Sequence, residues 1–166
     1  MAITMKQRGY TLLELAFILA ILGVLTAVAL PNMHRLIERQ HAQAAADALT
    51  QDLRNARELA VQGGVPVHVS FGGDAAAGHW CWGVSRGAAC DCGAGAVANA
   101  CNISRTDSSS FAKVRLERSA SADFQSLGQN LKPGGTVFGT AAGDRYWVRM
   151  SLAGNARNCR EGSKNC

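Results

Sequence analysis

No charged side chain occurs between Leu15 and Leu30, a run of sixteen residues. A run that apolar does not sit on the wet surface of a globular protein. No cysteine precedes Cys81, so all six follow the apolar run. Nowhere are two carboxylates paired in a way that suggests acid–base chemistry. No nucleophile has a convincing base beside it, and His34 and His41 fall in a helical stretch. These absences argue against an enzyme. Proline is scarce, and between Leu12 and Gln62 the one strong helix breaker is Pro31. One long helix is therefore expected, weakened at Pro31 and Gly23. The small-residue cleavage site expected after a secretory signal is not persuasive, and a polar helical pattern continues directly from Asn32.

What is present begins with Lys6-Gln-Arg8-Gly9-Tyr10-Thr11-Leu12-Leu13-Glu14, directly ahead of the uncharged run. Extended back to Tyr10, the apolar segment spans about 31 Å of helix, enough for a hydrocarbon core. Lys6 and Arg8 would hold its N-terminus on the cytoplasmic side. Glu14 does not suit a plain anchor, because a carboxylate in an apolar layer costs several kcal/mol unless it is paired. An assembling subunit can use it: Glu14 would pair with a free amine on a neighbour, created by cutting the chain close by.

Gly9-Tyr10-Thr11-Leu12-Leu13-Glu14, with the apolar run behind it, resembles the processing signature of type IV prepilins and type II secretion pseudopilins. The resemblance implies cleavage by a prepilin peptidase between Gly9 and Tyr10, N-methylation of Tyr10, and Glu14 as the fifth residue of the mature chain. Pro31 then lies at the helix position where pilins kink. It further implies a leader over 1–9, a transmembrane and assembly segment over 10–31, and a globular domain over 32–166. The partners implied are other pilin subunits, the peptidase, an inner-membrane assembly platform and the membrane itself. The chain would be a single-pass inner-membrane protein before assembly. Its C-terminal domain would be periplasmic, and then part of an extracellular pilus or a periplasmic pseudopilus.

From Asn32 to Gln62, Met33, Ile37, Ala45, Leu49, Leu53, Ala56 and Ala60 recur at three- and four-residue steps. That is an amphipathic helix whose stripe needs a sheet to cover it. Asp52, Arg54, Arg57 and Glu58 read as its solvated face, and Gly63-Gly64 as its stop. Val65–Phe71, Trp80–Val84, Ala112–Arg118, Thr136–Gly139 and Arg145–Leu152 read as strands, with Gly72–Gly78 and Cys90–Ser110 as long loops. No helix recurs between the strands, so the sheet is antiparallel. The fold class expected is α+β and pilin-like: a long N-terminal helix, membrane-embedded in its first half, packed on a small antiparallel β-sheet domain. The segments Asp52–Ala60, Trp80–Val84 and Val148–Arg157 are similar to the GspH/FimT minor pilins.

Six cysteines allow fifteen pairings. Cys159 and Cys166 would close a small C-terminal loop. Cys90 and Cys92 are too close in sequence to bond without strain, so Cys81 takes one of them and Cys101 the other. Each closed loop would contribute about 2–4 kcal/mol. A zinc site from Cys81, Cys90, Cys92 and Cys101 is the rival reading, but the paired C-x2-C spacing of zinc knuckles is absent. No cofactor or metal is expected.

The net charge is +5 and falls to +3 when Lys6 and Arg8 leave with the leader. Arg145, Arg149, Arg157, Arg160 and Lys164 gather near the C-terminus against Asp144 and Glu161. Arginine forks suit phosphate oxygens, although arginines on the wet face of an edge strand also serve solubility alone. The FimT resemblance implies capture of double-stranded DNA through a Gly-Arg-x-Arg motif. Gly154 and Arg157 match it, and Asn155 stands in place of an arginine. Trp80, Trp82 and Trp147 would stack on bases if exposed, but core packing suits them better. The function expected is a FimT-like minor pilin, in or at the tip of a pilus, that binds exogenous DNA. The alternative is a GspH-like structural or assembly-priming pseudopilin without nucleic acid.

Overall fold

A computed structural model describes residues 11–93, 101–164 and 166, with the backbone alone for 28–32. Helix α1 runs from Leu12 to Gly63 and continues through Pro31. Its start is capped by Thr11, whose hydroxyl accepts a hydrogen bond from the Glu14 backbone N–H at 3.2 Å. It stops at Gly63 because Gly64 turns left-handed, with φ +60°. Residues 1–36 and 37–166 form two separate compact units.

In the first unit, Leu12, Leu13, Phe17, Leu19, Val24 and Leu25 are all exposed. Among the described residues, no helix is long and apolar enough to cross a membrane. This overturns the expectation of a membrane-embedded first half over 10–31. The transmembrane segment, the membrane as a partner and the single-pass inner-membrane placement fall with it. The leader over 1–9 lies outside the described residues.

The second unit has one core. On α1 the buried stripe is Ala42, Ala45, Ala46, Leu49, Leu53, Ala56 and Ala60. Met33 and Ile37, expected in that stripe, are exposed. Against the stripe lie two antiparallel sheets, where one was expected. Strands β1 (Val67–Asp74), β2 (His79–Arg86), β3 (Ser104–Asp107), β4 (Arg115–Arg118), β5 (Ala122–Phe124), β6 (Gly134–Gly139), β7 (Arg145–Met150) and β8 (Ala156–Arg160) are ordered β3-β2-β1-β5 in one sheet and β4-β6-β7-β8 in the other. Strand β7 alternates as a half-wet strand should, with Tyr146, Val148 and Met150 inward.

Strand β2 does not alternate: Trp80 through Ser85 are all buried. Trp80, Trp82 and Val84 face the core. Trp80 and Trp82 stack at 5.7 Å, and Phe138 tilts against both. The opposite face, with Cys81, Gly83 and Ser85, is covered by the segment that follows the strand. Two disulfides, Cys81–Cys92 and Cys90–Cys101, fasten that segment down. A third joins Cys159 to Cys166. Of the two partners open to Cys81, the structure selects Cys92, and all four mid-chain cysteines are in disulfides.

Gly83 explains how the cover lies so close. A methyl group there would overlap Cys101 Sγ and come within 2.9 Å of Cys90 Sγ. The Cys90–Cys101 bridge therefore rests on bare backbone. Gly83→Ala is expected to destabilise the folded chain by about 1–3 kcal/mol through overpacking. In the reduced Cys90→Ser/Cys101→Ser background the same change should cost much less. Equal losses of chemical-denaturation midpoint in the two backgrounds would refute this origin.

Candidate functional site

The N-terminal residues singled out by sequence are only partly described. Gly9 and Tyr10 lie outside the described residues. Glu14 is exposed in the first turn of α1, where a carboxylate complements the helix dipole. Pro31 is inside α1, and its side chain is outside the described residues.

The C-terminal cations do not act as one group. Asp144 collects two of the domain's arginines. Arg39 Nε of α1 donates to its Oδ2, and Arg160 Nη2 of β8 donates to its Oδ1, each at 2.6 Å. The Asp144 side chain is only 8% exposed. The Arg39 bond is the main cause that holds its carboxyl below the ordinary 3.8, with burial opposing and the Arg160 bond assisting. Arg145 is taken up by Glu117 Oε2 at 2.7 Å and by Glu161 at 3.6 Å. These pairs tie β7 and β8 to α1 and β4, which is structural work.

Arg149, Arg157 and Lys164 are exposed. Arg149 lies over the Trp147 ring at 5.4 Å. Arg157 sits opposite it across the β7–β8 ladder. Two like charges in register carry a small penalty unless an anion relieves them. Gly154 is buried at φ +75°, where a side chain would strike the Gly128 carbonyl. Its role is to let the β7–β8 turn close. Asn155 Oδ1 accepts a long bond from Arg57 at 3.4 Å.

The flanks of α1 contain residues that the sequence pattern assigns to solvent. Arg57 donates to the Gly128 carbonyl at 3.1 Å and Arg54 to the Ala156 carbonyl at 3.3 Å. With Gly154, Asn155, Ala156 and Arg157 they line a groove of about 420 Å³. On the other flank, Asp52 is half-buried and accepts the Trp82 indole N–H at 2.7 Å. Burial pushes its carboxyl up, and the indole bond only partly offsets this. The helical period could have flagged both: Asp52 and Arg57 border the buried stripe rather than opposing it. Trp80 and Trp82 are buried and cannot stack on a ligand, while Trp147 is half-exposed.

A long N-terminal helix carrying two antiparallel sheets, with an acid in its first turn, defines a pilin-like assembly subunit. Residues 4–30 match the prokaryotic N-terminal methylation motif. Residues 45–154 match the type II transport protein GspH family, and the chain belongs to that family of pseudopilin-like assembly proteins. No curated protein and no solved structure matches the chain.

The Asp144 clamp has a measurable signature. Its folded-state carboxyl lies below 3.8, so its stabilisation is complete above that pH and fades as pH falls through the folded value. Asp144→Ala should lower Tm at pH 7 by several degrees, and Arg160→Ala by less. Arg149→Ala, with no carboxylate to abandon, should barely move it. The Asp144→Ala deficit should shrink as pH falls below the ordinary carboxylate range; a deficit that stays constant from neutral pH into that acid range would contradict the assignment.

Proposed function

We propose that this chain is a structural or assembly-priming minor subunit of a type II secretion pseudopilus. It enters the fibre after a prepilin peptidase removes residues 1–9 and Tyr10 is methylated. The observation that carries this reading is that the methylation motif and the GspH domain occupy one chain, over 4–30 and 45–154. In the fibre, Glu14 pairs with the free amine of a neighbouring subunit and sets the axial register. Its exposed position in the first turn of α1, with no cation beside it among the described residues, supports this.

DNA capture has weaker support. Arg145 and Arg160 are engaged with carboxylates inside the domain, and Gly154 serves a turn. That leaves Arg149 and Arg157 side by side and Lys164 in the C-terminal turn.

Co-expression with an active prepilin peptidase should shorten the chain by its first nine residues. Glu14→Gln should still be cut but should enter sheared fibres at least about tenfold less. A chain that stays whole beside a working peptidase, or a Gln variant that assembles like the parent, would end this reading. In a salt series with duplex DNA, the full chain should bind no more tightly than its Arg149→Ala/Arg157→Ala variant.

A further inference from the structure

The β7–β8 turn is stiff and carries an exposed leucine. Ser151 and Asn155 close it through a 3.1 Å bond, Gly154 N–H returns to Ser151 O at 3.0 Å, and buried Gly154 packs on the Gly128 carbonyl. Leu152 projects from this turn 64% exposed. Beside it stand Arg157 and Arg149, neither with a carboxylate partner among the described residues.

The opposite flank of α1 has the complementary features. A groove of about 320 Å³ lies between the end of α1 and strand β3. Leu59, Val84 and Ile103 supply its apolar lining, and Asp52 and Glu58 its charge. Neither acid meets a cation among the described residues. Asp52 accepts from the Trp82 indole and Glu58 from Gln62 at 2.8 Å. The turn lies at the β8 edge of one sheet and the groove at the β3 edge of the other. One chain thus presents an apolar knob flanked by unpaired cations and an apolar groove flanked by unpaired acids, on opposite sides of one helix.

We propose that the Leu152 turn of one copy seats in the β3-side groove of a second copy, with Arg157 meeting Asp52 and Glu58. The occupant is a second copy because its charge and its apolar tip both answer the groove. The contact joins unlike surfaces on opposite flanks of the helix, so each added copy leaves one knob and one groove free for a further copy. Leu152 removes water from Leu59 and Ile103, and the guanidinium relieves two acids that meet no cation among the described residues. Burial already disfavours the charged form of Asp52, so an arriving cation gains more there than at an open surface. This inference rests on the assembly reading and adds which surfaces meet.

The test uses the full-length chain, dispersed in mild detergent to cover its exposed N-terminal apolar residues, with a photo-crosslinking amino acid at position 152. Crosslinks should join the 152 peptide of one copy to the Leu59 or Ile103 peptides of another. Their yield should fall about tenfold with Arg157→Glu or with Glu58→Arg, and return in the Glu58→Arg/Arg157→Glu double variant. Both singles keep the core intact, so native circular dichroism guards against unfolding as the cause. Crosslinks from 152 to 152, crosslinks only to a different protein, or a double variant that fails to recover would each overturn the proposal. Normal entry of the single variants into fibres would refute this contact while leaving the assembly function intact. Loss of leader cleavage would strike that function and not this contact.

Discussion

Everything in the globular unit depends on how closely two sheets can approach one stripe of helix. Five of the seven stripe residues are alanines: Ala42, Ala45, Ala46, Ala56 and Ala60. Small side chains on the helix leave the volume to be filled from the sheets. Trp80, Trp82, Phe124 and Phe138 fill it, all essentially without exposure. The two tryptophans bring polar N–H groups into that core, and each needs a partner. Trp80 finds the Val114 carbonyl at 3.0 Å, and Trp82 finds Asp52. The aromatic cluster therefore fixes both its distance from α1 and its rotation about it.

The same close approach sets the fate of the charges. Where a sheet edge meets the helix flank, a side chain that would otherwise face water meets backbone or an opposite charge. Arg54 reaches the Ala156 carbonyl of β8, Arg57 reaches the Gly128 carbonyl in the turn between β5 and β6, and Arg39 reaches Asp144. Beyond these edges, His68 and Lys132 converge on Asp123. Burial alone would raise that carboxyl, but the two partners outweigh it and hold it low. Among the described residues, Arg149 and Arg157 on one flank and Asp52 and Glu58 on the other lie together without meeting an opposite charge. That grouping is the basis for assigning the two flanks to contacts between subunits.

Parts of this are legible from sequence. The strands with strong apolar alternation or aromatics, β1, β2, β6 and β7, lie close to the bounds their patterns suggest. Strands β3, β5 and β8 escape a sequence reading for identifiable reasons. Ser104–Asp107 has no apolar residue and is a strand only because β2 offers it an edge. Ala122–Phe124 is three residues long. Ala156–Arg160 reads as a polar turn until β7 lies alongside it. The division into two sheets is invisible in sequence, because alternation marks a strand's wet and dry faces and not its neighbours.

The N-terminal motif, the uncharged run and the cap at Thr11 are local: each is set by residues within a few positions, so sequence alone determined them and the family they belong to. The choice of Cys92 for Cys81, the capture of Arg160 by Asp144 and the burial of Asp52 were decided only by tertiary structure. Arg39 and Asp144 are 105 residues apart in the chain, and Asp52 and Trp82 are 30 apart. No local pattern encodes such a meeting. It follows from where two sheets come to rest on one helix.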